Sequence, residues 1–158
     1  VAIGARPVDA LVLNAGVAGG GSFLDADIED QLELIAVNVT ASVHLARRLV
    51  GPMAERGAGR VLITSSIAAR YPGAGHVVYN ASKAFLRSFA AGLRAELAGS
   101  PVTVTTLLPG PTDTGLFERA GMQGTRGARG AGDDPARGAE RAYACVFYTS
   151  AAADALPV

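Results

Sequence analysis

Arg60-Val61-Leu62-Ile63-Thr64-Ser65-Ser66, followed by Tyr79-Asn80-Ala81-Ser82-Lys83, is the stretch from which the fold is read. Arg60 to Thr64, built on the apolar run Val61-Leu62-Ile63, have the length and composition of a buried strand. Helical spacing takes over from about Tyr79 to Ala98, where Ala84, Phe85, Phe89, Ala90, Leu93 and Leu97 make more than one face apolar. Such a helix is deeply buried and also packs against a partner. Residues four apart share a helix face, so Tyr79 and Lys83 stand side by side. A cation beside a phenol favours the phenolate, and Lys83 is expected to lower the pKa of Tyr79. A phenol tuned in this way passes a proton to or from a substrate oxygen. Ser66 leaves the strand at its carboxyl end, where open α/β sheets place their ligands. A tyrosine and a lysine at this spacing also arise by chance, but Lys83 is the sole lysine of this chain, the thirteen other basic residues being arginine. A compact, tunable ammonium has been kept at one position.

On the amino-terminal side, Leu11 to Leu13 read as a second buried parallel strand. Asn14-Ala15-Gly16 closes it, with Gly19-Gly20-Gly21 beyond, and small residues at a strand end let a ligand approach the backbone. No helix or glycine-rich turn precedes this strand and the chain opens on Val1, so it is expected to be the later part of a longer α/β domain. From Ile28 to Arg56, Leu32, Ile35, Ala36, Val39, Val43, Ala46 and Val50 recur at helical steps. Asp25 or Asp27 is placed to cap this helix, and Gly51-Pro52 is expected to disturb its last turns. Asn38 falls beside the apolar stripe and needs a partner. It is either a structural or solvent-facing amide, or a residue whose carbonyl a local kink frees to hold a water.

On the carboxyl side, the loop Ile67 to Val78 joins Ser66 to Tyr79 and is expected to line a pocket. Val102 to Leu108 form a third strand, ended by Pro109-Gly110-Pro111-Thr112-Asp113-Thr114. Hydroxyls there suit phosphate or amide contacts. Leu116, Phe117 and Met122 are expected to cover a pocket, and 125–132 to be a flexible segment. Asp133-Asp134-Pro135 then open a last helix running to about Phe147. Strands alternating with helices indicate a parallel sheet with right-handed crossovers in one domain, 1–158.

The totals exclude several classes. A chain of 158 residues that is 49% hydrophobic can bury one core. Its formal net charge is zero, with arginines spread along the chain, which argues against a nucleic-acid partner. No apolar run approaches the roughly 18 residues of a membrane span, and no leader pattern opens the chain. A cytoplasmic protein is expected. Cys145 has no cysteine to pair with and reads as a small apolar filler. Cys145, His44 and His76 lack metal-ligand spacing. Ser66 lacks a nucleophile elbow and neither histidine has an orienting carboxylate, which weakens a hydrolase reading; His76 reads as solvent-facing. Tyr71, His76, Leu116 and Phe117 hint at a hydrophobic substrate.

Taken in order, Asn14-Ala15-Gly16, Asn38, Ser66 with Tyr79-x-x-x-Lys83, and Pro109-Gly110 resemble the classical short-chain dehydrogenase/reductase family, over roughly residues 8 to 120. The resemblance implies a Rossmann-like doubly wound parallel sheet and hydride transfer between NAD or NADP and a small-molecule carbonyl or secondary alcohol. It implies Tyr79 as general acid/base, Lys83 as the group that lowers its pKa and holds the nicotinamide ribose, and Ser66 as donor to the substrate oxygen. It implies that Asn38 holds a water linking Lys83 to solvent. Asn14, Ala15 and Gly16 would stabilise the sheet and pass the adenosine half of the cofactor, while Pro109, Gly110, Thr112 and Thr114 would meet the nicotinamide amide and a phosphate. It further implies a homodimer or homotetramer through the helices carrying Asn38 and Tyr79. The family's glycine-rich turn and the strand that reads the ribose 2′ position have no match here, which implies the C-terminal part of the fold with its N-terminal strands missing. The alternative is a non-catalytic truncated remnant or dimerising module.

Overall fold

Three short strands pair in parallel, in the order β1 (Ala10–Leu13), β2 (Arg60–Thr64) and β3 (Thr103–Leu107), in the computed structural model, which describes residues 6–112 and 132–148. Leu11 lies opposite Val61, and Val61 opposite Val104, so the apolar runs read from the sequence are in register across the sheet. Two helical crossovers connect the strands. The first comprises α1 (Ile28–Ile35) and α2 (Ala41–Arg56), and the second is α3 (Val77–Glu96). A last helix, α4 (Pro135–Tyr148), follows β3. The expectations for 115–123 and 125–131, and for Asp113 and Thr114, lie outside the described residues.

The helix expected from Ile28 to Arg56 has the predicted span but is not uniform. Asp27 caps it, its side chain accepting from Glu29 N at 2.8 Å, and Glu29 and Asp30 complement the dipole of the first turn. A π-helical turn, Ala36–Thr40, then separates α1 from α2. Pro52 does not interrupt α2 as Gly51-Pro52 was expected to do. The helix runs on to Arg56 and ends at Gly57, whose φ of 67° places it in the left-handed region that glycine enters without steric cost. Two boundaries also move: α3 begins at Val77 rather than Tyr79 and ends at Glu96 rather than Ala98.

Side chains alternate across the sheet and sort the core into two layers. Leu11, Leu13, Val61, Ile63 and Val104 meet Ala46, Val50 and Met53 of α2 and Leu86 and Ala90 of α3 on one face. On the other face Leu62 and Leu107 meet Ala142 and Val146 of α4. Arg60 fastens this second layer by donating to the Val146 carbonyl at 2.8 Å. Helices on both faces of a parallel sheet make a doubly wound α/β arrangement. Its second face is thin, and Val12 on β1 is 55% exposed. Among the described residues no helix is long and apolar enough to cross a membrane.

This asymmetry gives a contrast measurable by urea unfolding. Ile63→Ala, at a fully buried position, is expected to cost about 2–5 kcal/mol. Val12→Ala on the open face is expected to stay within about 0.5 kcal/mol of wild type. Equal losses would contradict the two-layer account.

Candidate active site

The carboxyl ends of the three strands converge on the residues singled out in the sequence. Asn38 is fully buried at the centre of the π-helical turn. Its Oδ1 accepts from Val17 N and its Nδ2 donates to Val17 O, both at 2.9 Å. Nδ2 also donates to Ser82 Oγ at 3.0 Å, and Ser82 Oγ donates to the Tyr79 carbonyl at 2.7 Å. One amide thus ties the loop after β1 to the first turns of α3. A π-helical turn interrupts the helix at Asn38, and the carbonyl of Asn38 accepts the Ser42 hydroxyl at 2.9 Å. The side chain, rather than a freed carbonyl, makes the inter-element contacts.

Lys83 is only 6% exposed. Its Nζ donates to the Thr64 carbonyl at 3.2 Å, and Ser65 Oγ donates to the Lys83 carbonyl at 2.7 Å. The end of β2 and the second turn of α3 are therefore bonded twice. A methyl group placed on Gly16 would stand 3.2 Å from Asn38 Oδ1 and 3.3 Å from Lys83 Nζ. The glycine lets the loop run close against this polar pair. Asn14, Ala15 and Gly16 are exposed, and the loop they open is held down through Val17.

Lys83 Nζ lies 5.8 Å from the centre of the half-buried Tyr79 ring, so the expected pairing across one helical turn is realised. Its electrostatic consequence is not the expected one. Burial raises the Tyr79 phenol above its ordinary value, and a hydrogen bond with the Ser66 side chain only partly opposes this. Burial also lowers Lys83 from 10.5 to about 8. The ammonium is itself short of solvation, so the phenol stays protonated at neutral pH. Ser66, extended at φ −166°, accepts from Ala68 N at 3.1 Å and opens a short 3-10 turn, Ile67–Arg70. Ser66 and Tyr79 are thus brought together from opposite ends of one loop.

The turn after β3 joins the same end of the sheet. Pro109 O accepts from Ile67 N at 3.0 Å, and Thr112 Oγ1 donates to Gly110 O at 3.0 Å. Thr114 lies outside the described residues. His76 is not turned to solvent as expected. Its Nδ1 is buried without a partner, and the residue lines a small cavity with Gly19, Gly20, Gly21 and Gln31. Sequence reasoning missed Ser65, Ser82 and Val17. The signal available was Ser82 inside a helix, three residues after Tyr79, where a hydroxyl bonds back to a carbonyl of the preceding turn.

The family model described as short chain dehydrogenase matches residues 2–123. The chain is 39% identical over 112 residues to the serine 3-dehydrogenase of Rhizobium radiobacter, covering 70% of this chain and 45% of that protein. It is 39% identical over 106 residues to an NADP-dependent 3-hydroxy acid dehydrogenase of Salmonella typhi, covering 66% of this chain and 43% of that protein. The chain therefore spans under half the length of these two curated relatives. A solved short-chain dehydrogenase from Sphingobium yanoikuyae in complex with NADPH superposes with a TM-score of 0.86 at 27% identity, over 98% of this chain and 58% of that one.

The buried lysine sets a pH dependence of stability. Its folded value, about 8, lies below the unfolded value of about 10.4. Between these values the unfolded chain binds more protons, so the contribution of Lys83 to stability rises with pH. Above roughly pH 10 the raised Tyr79 acts in the opposite sense. From pH 8 to 10 the melting temperature of wild type is expected to climb relative to Lys83→Met. Parallel curves would show that Lys83 is not buried.

Proposed function

The chain belongs to the short-chain dehydrogenase family, and from that premise we propose that it carries the catalytic centre of an oxidoreductase moving a hydride between NAD or NADP and a carbonyl or secondary alcohol. The observation that carries this reading is the meeting of three groups at the carboxyl end of β2. These are the Ser66 side chain, the Tyr79 phenol whose pKa that side chain lowers, and the desolvated Lys83 ammonium one helical turn on. NADP-dependent and NADPH-bound relatives support the choice of cofactor.

The residues present fit the nicotinamide end of such a cofactor. Lys83 offers a donor, and the Pro109-Gly110 turn with Thr112 borders the same strand ends. When bound, the cofactor supplies or takes up the hydride. In the reductive direction Tyr79, kept protonated by burial, gives its phenolic proton to the substrate oxygen. Ser66 steadies the charge developing on that oxygen. Lys83 offsets the phenolate that remains, and its depressed pKa lets it exchange a proton near neutrality. Asn38 acts through Ser82 and Val17, holding α3 and the loop after β1 in register. In the oxidative direction the same groups run in reverse.

Two finer points belong to the same proposal. The pyrophosphate cradle and the strand that reads the ribose 2′ position are assigned to a part of the protein outside residues 1–158, in keeping with the greater length of the relatives. Exposed Ile28, Leu32, Ile35, Leu45, Val77 and Phe85 on α1, α2 and α3 are assigned to contact with a second copy of the chain, since unpartnered apolar helix faces of this extent mark interfaces.

In the full-length protein, Tyr79→Phe is expected to lower NAD(P)H-dependent turnover of a carbonyl substrate by at least about 100-fold, with cofactor affinity near wild type. Turnover within a few-fold of wild type would sink the assignment of Tyr79. Sedimentation equilibrium tests the helical contact: Phe85→Asp should shift the protein toward monomer, and an unchanged mass would contradict it.

A further inference from the structure

The helical run from Ile28 through the π-helical turn to Arg56 carries opposite charge in its two halves. α1 has Glu29, Asp30 and Glu33 and no basic residue, while 41–50 of α2 has His44, Arg47 and Arg48 and no acidic one. The chain's own electrostatics explain only part of this. Glu29 and Asp30 complement the dipole of the first turn. Glu33 lies beyond that turn and four residues from Glu29, a like-charge spacing that weakens an isolated helix. Among the described residues the side chains of Glu29, Glu33, His44 and Arg48 make no hydrogen bond or ion pair.

The same run leaves apolar side chains in water. Exposed Ile28, Leu32 and Ile35 follow one stripe of α1, with Glu29 and Glu33 along its flank. Exposed Leu45 lies off the buried row Ala46, Val50 and Met53 of α2, with exposed His44 and Arg48 beside it. Antiparallel pairing of this run with its own copy about a twofold axis answers both features. With the axis level with Asn38 and Val39, Leu32 falls opposite the partner's Leu45 and Glu29 opposite the partner's Arg48. Glu33 falls opposite the partner's His44. Nearest the axis, exposed Ala36 falls opposite the partner's Ala41, and small side chains at a contact let two helices approach closely. A twofold contact makes every such pairing twice. A parallel pairing would instead set acid against acid and base against base.

We propose that α1 and α2 form an antiparallel twofold contact with a second copy of the chain, in the register that sets Glu29 against the partner's Arg48 and Leu32 against the partner's Leu45. This rests on the second-copy contact assigned above and adds its orientation and register. The contact bears on the site as well. Asn38 belongs to the turn nearest the axis, so the pairing braces that turn from outside while the Asn38 amide holds Val17 and Ser82 from inside.

The test is charge exchange in the full-length protein, read by sedimentation equilibrium. Glu29→Arg and Arg48→Glu each put like charges together on both sides of the axis, and each alone is expected to raise the dimer dissociation constant at least about ten-fold. Mixed in equal amounts, the two variants are expected to associate as wild type does, because each substituted side chain then meets an opposite charge. A chain carrying both substitutions is expected to recover in the same way. Single variants that dimerise like wild type would overturn the register. So would a mixture and a double variant that both stay as weak as the single variants. Dissociation by Phe85→Asp with no effect of either charge variant would overturn this register and leave the second-copy contact standing. A wild-type protein that stays monomeric would overturn both.

Discussion

Removing one ammonium from water is the constraint on which the site depends. Lys83 is the only lysine in the chain, is almost fully buried, and among the described residues has a single acceptor at 3.2 Å, the carbonyl of Thr64. A charge in that setting is costly unless its surroundings are fixed and polar. The neighbourhood meets that requirement. Ser65 bonds the backbone of the same residue, Asn38 stands beside the ammonium across Gly16, and Ser82 links Asn38 to the turn of helix that carries Tyr79. The bonds made by Ser65 and by the Asn38 amide each join two elements that are far apart in sequence. The cost of the buried charge is thus coupled to correct assembly of β1, β2, α2 and α3.

The π-helical turn has a place in this arrangement. A regular α-helix from Ile28 to Arg56 would present its side chains in one unbroken register. The extra residue of a π-turn breaks that register at Ala36–Thr40. Asn38 there reaches the loop after β1 and α3 together, while α2 keeps Ala46, Val50 and Met53 on the core. Its amide closes a two-point pairing with Val17, the geometry of a short piece of sheet ladder made by a side chain. The loop is held in this way although Asn14, Ala15 and Gly16 are themselves exposed.

Much of the fold was legible in the sequence because it rests on periodicity. Arg60 to Thr64 were read residue for residue, and Val102 to Leu108 within a residue at each end, since short β-branched apolar runs between polar turns have few alternatives. The pairing of Tyr79 with Lys83 followed from helix geometry alone. What could not be read was the balance of energies. A phenol beside an ammonium suggested a lowered pKa, yet burial raises the phenol and lowers the ammonium, and burial belongs to the tertiary structure. The roles of Ser65 and Ser82 were equally hidden, because a serine's partner is chosen by packing. His76 was misjudged for the same reason: nothing local shows that it lines a cavity with Gly19, Gly20 and Gly21.

The central claim is that the protein buries its one lysine in a preassembled site, and that claim has a direct measurement. Lysine labelled with 13C at the ε carbon, incorporated into the 158-residue chain, gives a single resonance because Lys83 is the only lysine. Its shift is followed with pH. A midpoint near the value of about 8 is predicted. A midpoint near 10.4, the value of a solvated lysine, would mean that the ammonium remains in water and that the site is not assembled as described.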